Sequence, residues 1–497
     1  MVQLEGQKVI KGKEMARVEN ESIQDGASDE GYMLKAGEGI ACRIEAFIEE
    51  RGRAKKVTLL VGKGNNGGDA FVAGTFLIQR GFEVQAYHLV EAGESSPLCK
   101  KHEKNFLEAG GKVSRGNEVR LEGVIVDGLL GTGFQGKLEG LIIDVINKAN
   151  SSRLPILAID IPSGVNGNTG VVNPVAIRAN ETIYLGLPKL GFFIGQGYNY
   201  VGKLFRVDFG MDQKYIEKAE GNAHIVSDGA MQDLLPPIKR VRHKYQAGYV
   251  IALAGSPGMP GAAMLSCLAA LRSGAGIVRL FHPKGMEEEF AAAPLELIRN
   301  PYDWEDPSPI FDEARRAKAC LLGPGIGKGE GMHTFVQSVV SKLNLPMVID
   351  ADGLYHIKMF PKGVILTPHY KEMLHLLGKE ALSHDDCQKF ADQNDVTVVL
   401  KGAPTWVFHP KTLPLIIPKG DPGMATAGTG DVLTGMIAAL LAQGLKGREA
   451  ATLGVYLHGM CGEIVAKKQT SYDLIASDLI EVLPEAFQTL LAQSLQE

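Results

Sequence analysis

The run AGTGDVLTGM (427–436) sets an aspartate among small residues at the start of a long apolar stretch. At a helix N-terminus, the backbone N–H groups of Gly428, Thr429 and Gly430 would form an anion hole, reinforced by the helix dipole. Asp431 sits just inside it. There it suits a general base that takes a proton from a hydroxyl as a phosphoryl group arrives. The plainer alternative is a helix N-terminal charge, worth about 0.3–1 kcal/mol. A second constellation is GKGNNGGDA (62–70), after a strand-like run. Amide oxygens of Asn65 and Asn66 and the carboxylate of Asp69 suit a hard cation or a polar ring substituent. Two further polar strand ends follow: Asp127 closes VIVD, and Asp160 and Ser163 lie in AIDIPSG. An isolated aspartate is commonly a cap or turn former. Three polar strand ends in one parallel sheet would instead converge on a single crevice.

The second constellation has a rival reading. Gly62, Gly64 and Gly67 satisfy GxGxxG, and Glu91 falls near the end of the next strand, as in a plain dinucleotide turn. The GK[ST] ending of a phosphate-binding P-loop is missing. Further chemistry-bearing pieces stand in the second half. LKGAPT (400–405) supplies Lys401, Gly402 and Thr405, a set suited to nucleotide phosphates. GPGIG (323–327) ends another strand. DADGL (350–354) and LTPHYKEM (366–373) add Asp350, Asp352, His369 and Glu372. Acidic groups near phosphates usually organise magnesium. His369, in TPHxxE at a strand end, reads as a ligand contact, with a hydrogen-bonded structural histidine as the alternative.

Alternating apolar and helical runs must position these residues. Strands are expected at 57–62, 83–90, 124–131, 156–164, 182–187 and 203–210, then at 249–255, 276–282, 319–325, 346–353, 363–369 and 396–402. Helices are expected at 69–81, 430–444 and 448–468. This alternation predicts an α/β chain with parallel sheets covered by helices. The polar segment 211–224 marks a boundary, giving domains at 1–215 and 220–497. Of 497 residues, 60 are glycine, many of them just after strand-like runs where backbones approach ligands.

Composition narrows the function classes. The net charge is −5 and no polybasic run stands out, which argues against nucleic acid as a partner. No apolar run reaches the ~18 residues of a membrane span, and the N-terminus has no secretory apolar core. The six cysteines lack CxxC spacing and read as thiols of a reducing compartment, with the cytoplasm as the expected location.

GNNGGD, VDGLLGTGFQG, DIPSG and LGLPKLGF, in this order, resemble the NAD(P)H-hydrate epimerase domain, as do KGKEMARVE and MLKAG near the N-terminus. The likeness spans roughly residues 8–212 and implies a Rossmann-like three-layer sheet that interconverts R and S hydrates of NADH or NADPH. It implies a potassium ion held by Asn66, Asp127 and Ser163. Substrate would lie along Asn65, Asn66, Gly67, Gly68 and Asp69, and along Gly131, Thr132, Gly133, Phe134, Gln135, Gly136 and Lys137. Asp160 and Lys189 would serve the reacting carbon. The alternative for Lys189 is a solvated surface lysine.

The second half, over roughly 225–490, resembles the ribokinase-like superfamily and within it the ADP/ATP-dependent NAD(P)H-hydrate dehydratase. The motifs are GxPGxxGAAxL, GPGIG, DADGL, LTPHxxE, KGxxT and GTGD. The resemblance implies an α/β/α domain in which Ala262, Gly325, His369 and Asp431 contact the hydrated cofactor. Lys401, Gly402, Ala403, Pro404, Thr405 and Gly430 would contact ADP or ATP, with Mg2+ as the companion ion. It also implies homo-oligomeric assembly, and the likeness to bacterial fused forms points to ADP. Two other readings compete. One is a vitamin-type small-molecule kinase fused to an accessory domain. The other makes the N-terminal domain a non-catalytic ligand sensor.

Overall fold

A computed structural model describes residues 2–90, 93–116, 118–134, 136–329 and 331–492. Glu91 and Gln135, both named above, lie outside the described residues. The chain divides into two compact units: Gln7–Ala223, and Met1–Gly6 together with His224–Glu497. Residues 1–6 thus group with the C-terminal part of the chain rather than with domain 1–215. Backbone pairing explains this: the Leu4 carbonyl accepts the Ser227 N–H at 2.9 Å.

The N-terminal unit is built on a seven-stranded sheet. Its order is Lys112–Ser114, Glu83–His88, Lys56–Val61, Val124–Gly128, Ile156–Ile159, Glu181–Leu185 and Lys203–Val207, with every pair parallel. Side chains alternate between two cores, as strand geometry requires. Val57, Leu59, Val61, Val124 and Val126 pack with Ile44, Phe71 and Phe106 from the helices Asp29–Glu50, Asn65–Gln79 and Pro97–Glu108. Leu60 and Ile125 face the other way, against Val145, Ile146 and Ala149 of Leu141–Ser151. Both faces are therefore covered, and polar residues are pushed to the strand ends.

The C-terminal unit carries a larger sheet. Its central strands Thr397–Leu400, Ile365–Leu366, Met347–Ile349, Ala319–Leu322, Tyr249–Leu253, Ile277–Pro283 and Ile298–Tyr302 are mutually parallel. Thr405–Phe408 and Leu415–Ile417 then add antiparallel. The sheet is mixed, a departure from the purely parallel expectation. The physical reason is loop length: the few residues between Leu400 and Thr405 can turn a hairpin but cannot carry a crossover helix. One face packs against Pro260–Arg272, Thr429–Ala442, Gly447–Lys468 and Ala476–Ala492 through Ala263, Cys267, Ile437, Leu453 and Leu483. Among the described residues no helix is long and apolar enough to cross a membrane.

Candidate active sites

In the N-terminal unit, a cavity of about 610 Å³ opens at the carboxyl ends of the strands. The chain reaches it by tight turns. A Cβ on Gly62 would fall 1.7 Å from the Leu129 carbonyl oxygen, so only glycine lets these two strand ends approach. Asn65, Asn66, Asp69, Gly131, Thr132, Gly133, Phe134 and Asp160 line the cavity. Gly67 and Gly68 lie behind it, closely packed against Gly62 and Met33. Gly136 lines a separate small depression with Val165 and Asn173, and Lys137 is exposed; neither lines the main cavity.

One hydrogen-bond network links the three strand ends. Asp127 is fully buried and accepts the Ser163 N–H at 2.7 Å, the Ser163 hydroxyl at 2.6 Å and the Leu129 N–H at 3.2 Å. Burial pushes its carboxyl up to about 6, although these donors oppose the rise. Ser163 Oγ in turn accepts the Leu130 N–H at 2.9 Å, and Asn66 Nδ2 donates to the Leu130 carbonyl at 2.9 Å. The other amide atom, Asn66 Oδ1, is buried with no hydrogen-bond partner among the described residues. An orphaned buried oxygen is costly, and a water or an ion can satisfy it.

Lys189 is 1% exposed, which disposes of the surface-lysine alternative. Its Nζ donates to Asp160 Oδ1 and, at 3.0 Å, to the Leu185 carbonyl. Asp160 holds a left-handed backbone conformation, φ 62°, rare outside glycine and least costly for Asp and Asn. Asp69 is driven well above the usual carboxylate range by burial first, then by Asp160, Glu19 and Asp29. Glu19 and Asp29, on the two N-terminal helices, also line the cavity. The residue-by-residue reading did not pick them out. The signal was present for one of them, since Glu19 is the last residue of KGKEMARVE.

In the C-terminal unit, Thr429–Ala442 begins after Gly428, itself left-handed at φ 92°. Its first return bond runs from Val432 N–H to the Gly428 carbonyl. The amides of Thr429, Gly430 and Asp431 are therefore free of that ladder at the helix's open end. His458 Nε2 lies 2.9 Å from the Thr429 carbonyl and is neutral, because burial pulls it down to about 4. It thus donates from the next helix and fixes the start of this one. Sequence reading missed His458, which carries no local motif.

Beside that helix end sits a chain of charges. Lys401 Nζ donates to Asp350 Oδ1 at 2.6 Å and lies 3.8 Å from Glu372. Burial alone would lower the Lys401 ammonium, but Asp350 and Glu372 hold it above its ordinary value. Asp350 Oδ2 accepts the Thr434 hydroxyl at 2.7 Å. A Cβ on Gly430 would meet Lys401 Nζ at 3.2 Å, so the LKGAPT loop and the GTGD turn are neighbours. Thr405 closes that loop through its hydroxyl on the Gly402 carbonyl, 3.1 Å; Ala403 is exposed and Pro404 buried. Burial, then Asp350, pushes Asp431 up to about 7, against the pull of Lys401; Asp352 and Glu372 add to the rise. Gly325 packs beside Ala262, where a Cβ would come within 3.1 Å. His369 caps Tyr370–Leu377: its Nδ1 accepts the Glu372 N–H at 3.1 Å, and Glu372 accepts the His369 N–H at 2.7 Å. The ring is half-exposed with Nε2 3.6 Å from Glu372 Oε1, so it serves as a cap and still leaves part of its surface open. Among the described residues, no three His, Cys, Asp or Glu side chains are grouped to hold a metal.

Both units of the chain are similar to known proteins. Residues 30–191 match the family described as YjeF-related protein N-terminus, and residues 250–485 match NAD(P)H-hydrate dehydratase. A ribokinase-like superfamily protein from Enterococcus faecalis superposes with a TM-score of 0.50 at 26% identity, covering 53% of this chain and 95% of its own. The bifunctional NAD(P)H-hydrate repair enzyme Nnr of Escherichia coli is 32% identical over 467 residues, covering 91% of this chain and 88% of its own. That of Moorella thermoacetica is 32% identical over 489 residues, covering 92% of each chain. This chain belongs to the family of bifunctional NAD(P)H-hydrate repair enzymes.

Proposed function

We propose that the N-terminal unit interconverts the R and S hydrates of NADH and NADPH, and that the C-terminal unit dehydrates the S form with ADP or ATP. The single observation that carries the second half is the half-buried Asp431, raised to about 7, at an open helix end beside Lys401. A base ionised near neutral pH and an adjacent anion hole are what phosphoryl transfer to a hydroxyl needs. Asp431 takes the hydroxyl proton while the oxygen attacks the nucleotide's terminal phosphorus and the bond to the leaving nucleotide breaks. The ring nitrogen's lone pair then expels phosphate, and loss of a proton from the neighbouring carbon restores the double bond. Phosphate leaves far more readily than hydroxide, which gives the nucleotide its purpose.

Lys401, Gly402, Ala403, Pro404, Thr405 and Gly430 are assigned to the nucleotide, and Ala262, Gly325 and His369 to the hydrate. Asp350 is committed to Lys401 and Thr434, and Asp352 accepts the Gly327 N–H. Mg2+ would therefore be carried mainly by the nucleotide phosphates, its usual mode. A cytoplasmic location suits six unpaired cysteines. Assembly into a homo-oligomer is proposed from the family likeness.

The experiment is an absorbance assay at the reduced-nicotinamide band. S-form NADH hydrate, Mg2+ and either nucleotide should give NADH; R-form substrate should do so only through the N-terminal unit. No recovery from well-folded protein would overturn the repair reading. A stable phosphorylated product would turn the C-terminal unit into a small-molecule kinase.

Potassium fits the N-terminal site. The unpartnered Asn66 Oδ1, the Asp127 carboxylate and Ser163 Oγ form an all-oxygen donor set in one network. A bound cation would orient the cofactor's polar groups and hold Asp127 ionised. Epimerase activity is expected to rise with K+ over a Li+ or tetramethylammonium background. In Asn66→Ala that dependence should weaken by tenfold or more in apparent K+ affinity, while the dehydratase rate stays at the wild-type value. Equal rates in all three salts would remove the cation from the site.

A further inference from the structure

Hydration of a dihydronicotinamide is addition of water to an enamine. The hydroxyl therefore ends on the ring carbon bonded to nitrogen. Such a carbon inverts when its C–O bond breaks, the nitrogen lone pair forms a C=N bond, and water returns on the opposite face. The departing hydroxyl needs a proton and the returning water must lose one. Two acid–base groups on different elements serve this better than one.

The cavity offers a second group beyond the Asp160–Lys189 pair. Glu19 lines it from the helix Gly12–Gln24, whereas Asp160 stands at the end of the strand Ile156–Ile159. That helix is held firmly. Met15 and Val18 are buried, the Gly12 N–H donates to Asn168 Oδ1 at 2.9 Å, and Glu14 accepts the Glu220 N–H at 2.7 Å. Asp160 is engaged by Lys189, and Asp127 by Ser163 and Leu129. The Glu19 carboxyl, by contrast, has neither hydrogen bond nor ion pair among the described residues. It is a fixed, unpartnered acid facing the space where the ring must sit.

We propose that Glu19 is the second acid–base group of the epimerase, acting on the ring hydroxyl from the helix side while Asp160 acts from the sheet side. This rests on the epimerase reading above. Protonated Glu19 gives its proton to the hydroxyl as the C–O bond breaks. A water adds to the other face of the C=N bond and yields a proton to Asp160. One inversion moves one proton from Glu19 to Asp160; the reverse inversion, or exchange with solvent, returns it. No oxidant, reductant or nucleotide enters.

The electrostatics support this. Burial first, then Asp160 and Asp29, push Glu19 up to about 7, with Lys189 opposing. Asp69 faces it from Asn65–Gln79, and Lys63 lines the same cavity. A carboxyl half-protonated near neutral pH can give and take a proton with equal ease.

The test uses the full chain without nucleotide, so that only epimerisation is seen, and follows R and S hydrates in water enriched in 18O. Glu19→Gln should lower kcat tenfold or more, about 10²–10⁴ being usual for a lost general acid, with little change in KM. Glu19→Asp should recover much of the rate. Wild-type kcat, in the direction whose departing hydroxyl faces Glu19, should fall above pH about 7 as Glu19 loses its proton, and that limb should vanish in Glu19→Gln. Each inversion should bring in 18O at the ring hydroxyl. A loss below tenfold, an unchanged pH limb or retention of the original oxygen overturns the proposal. Wild-type protein that fails to interconvert the hydrates overturns the epimerase reading itself, a separate result.

Discussion

Asp431→Asn is expected to lower nucleotide-dependent formation of NADH from S-form hydrate by about 10²–10⁴-fold. The substitution keeps size and hydrogen bonding at the helix end but removes the proton acceptor. The wild-type pH dependence should carry the same signature. Burial and Asp350 raise Asp431 to about 7, so below that pH the group is protonated and cannot accept the hydroxyl proton. Dehydratase kcat/KM should therefore climb as pH rises through about 7 and level off above it. In Asp431→Asn the residual rate should lose that limb. The direction is opposite to the one expected for Glu19 in the epimerisation whose departing hydroxyl faces it, where the protonated form is productive. A single chain should thus show two oppositely sloped profiles, one silenced by each substitution. A dehydratase rate within threefold of wild type in Asp431→Asn would reduce this aspartate to a helix N-terminal charge.

The glycine-rich and acidic strand ends were legible because their chemistry is local. A turn that brings Gly62 against the Leu129 carbonyl must lack a side chain, whatever surrounds it. The helix at GTGD likewise declares itself through small residues ahead of an apolar run. What was not legible depends on packing from distant segments. Lys189 in LGLPKLGF reads equally as buried or exposed; the left-handed Asp160 and the Leu185 carbonyl decide it. His458 is one polar residue inside a long helix, and only the Thr429 carbonyl across the interhelix contact gives it a role. His369 reads as a ligand contact, yet its Nδ1 is engaged by its own helix through the capping box. The mixed C-terminal sheet escaped because a strand's direction is set by the loop before it. The short Thr405–Phe408 and Leu415–Ile417 strands carry no sign of orientation themselves.

The Lys189–Asp160 pair separates structure from chemistry within one site. Lys189 is 1% exposed and the Asp160 side chain 13% exposed, so neither charge is well solvated without the other. Removing one partner of a buried pair typically costs about 3–5 kcal/mol, because it strands the remaining charge. Lys189→Met should therefore destabilise the N-terminal unit by about that amount in urea unfolding, or leave Asp160 neutral instead. Asp160→Asn keeps a residue type that tolerates the left-handed backbone, so its cost should come from the stranded ammonium rather than from φ. The double variant, Lys189→Met with Asp160→Asn, carries no charge at either position and should regain most of the lost stability. Its single-variant costs should fail to add, as expected for groups in contact. Epimerase activity should behave differently. It should be absent from both single variants and from the double variant, since restoring stability does not restore a proton acceptor. The S-form dehydratase of the same molecules should run at the wild-type rate and serve as the internal control for intact chain. Recovery of epimerisation in the double variant would make the pair a structural strut and leave Glu19 and Asp69 as the groups that act on the hydrate.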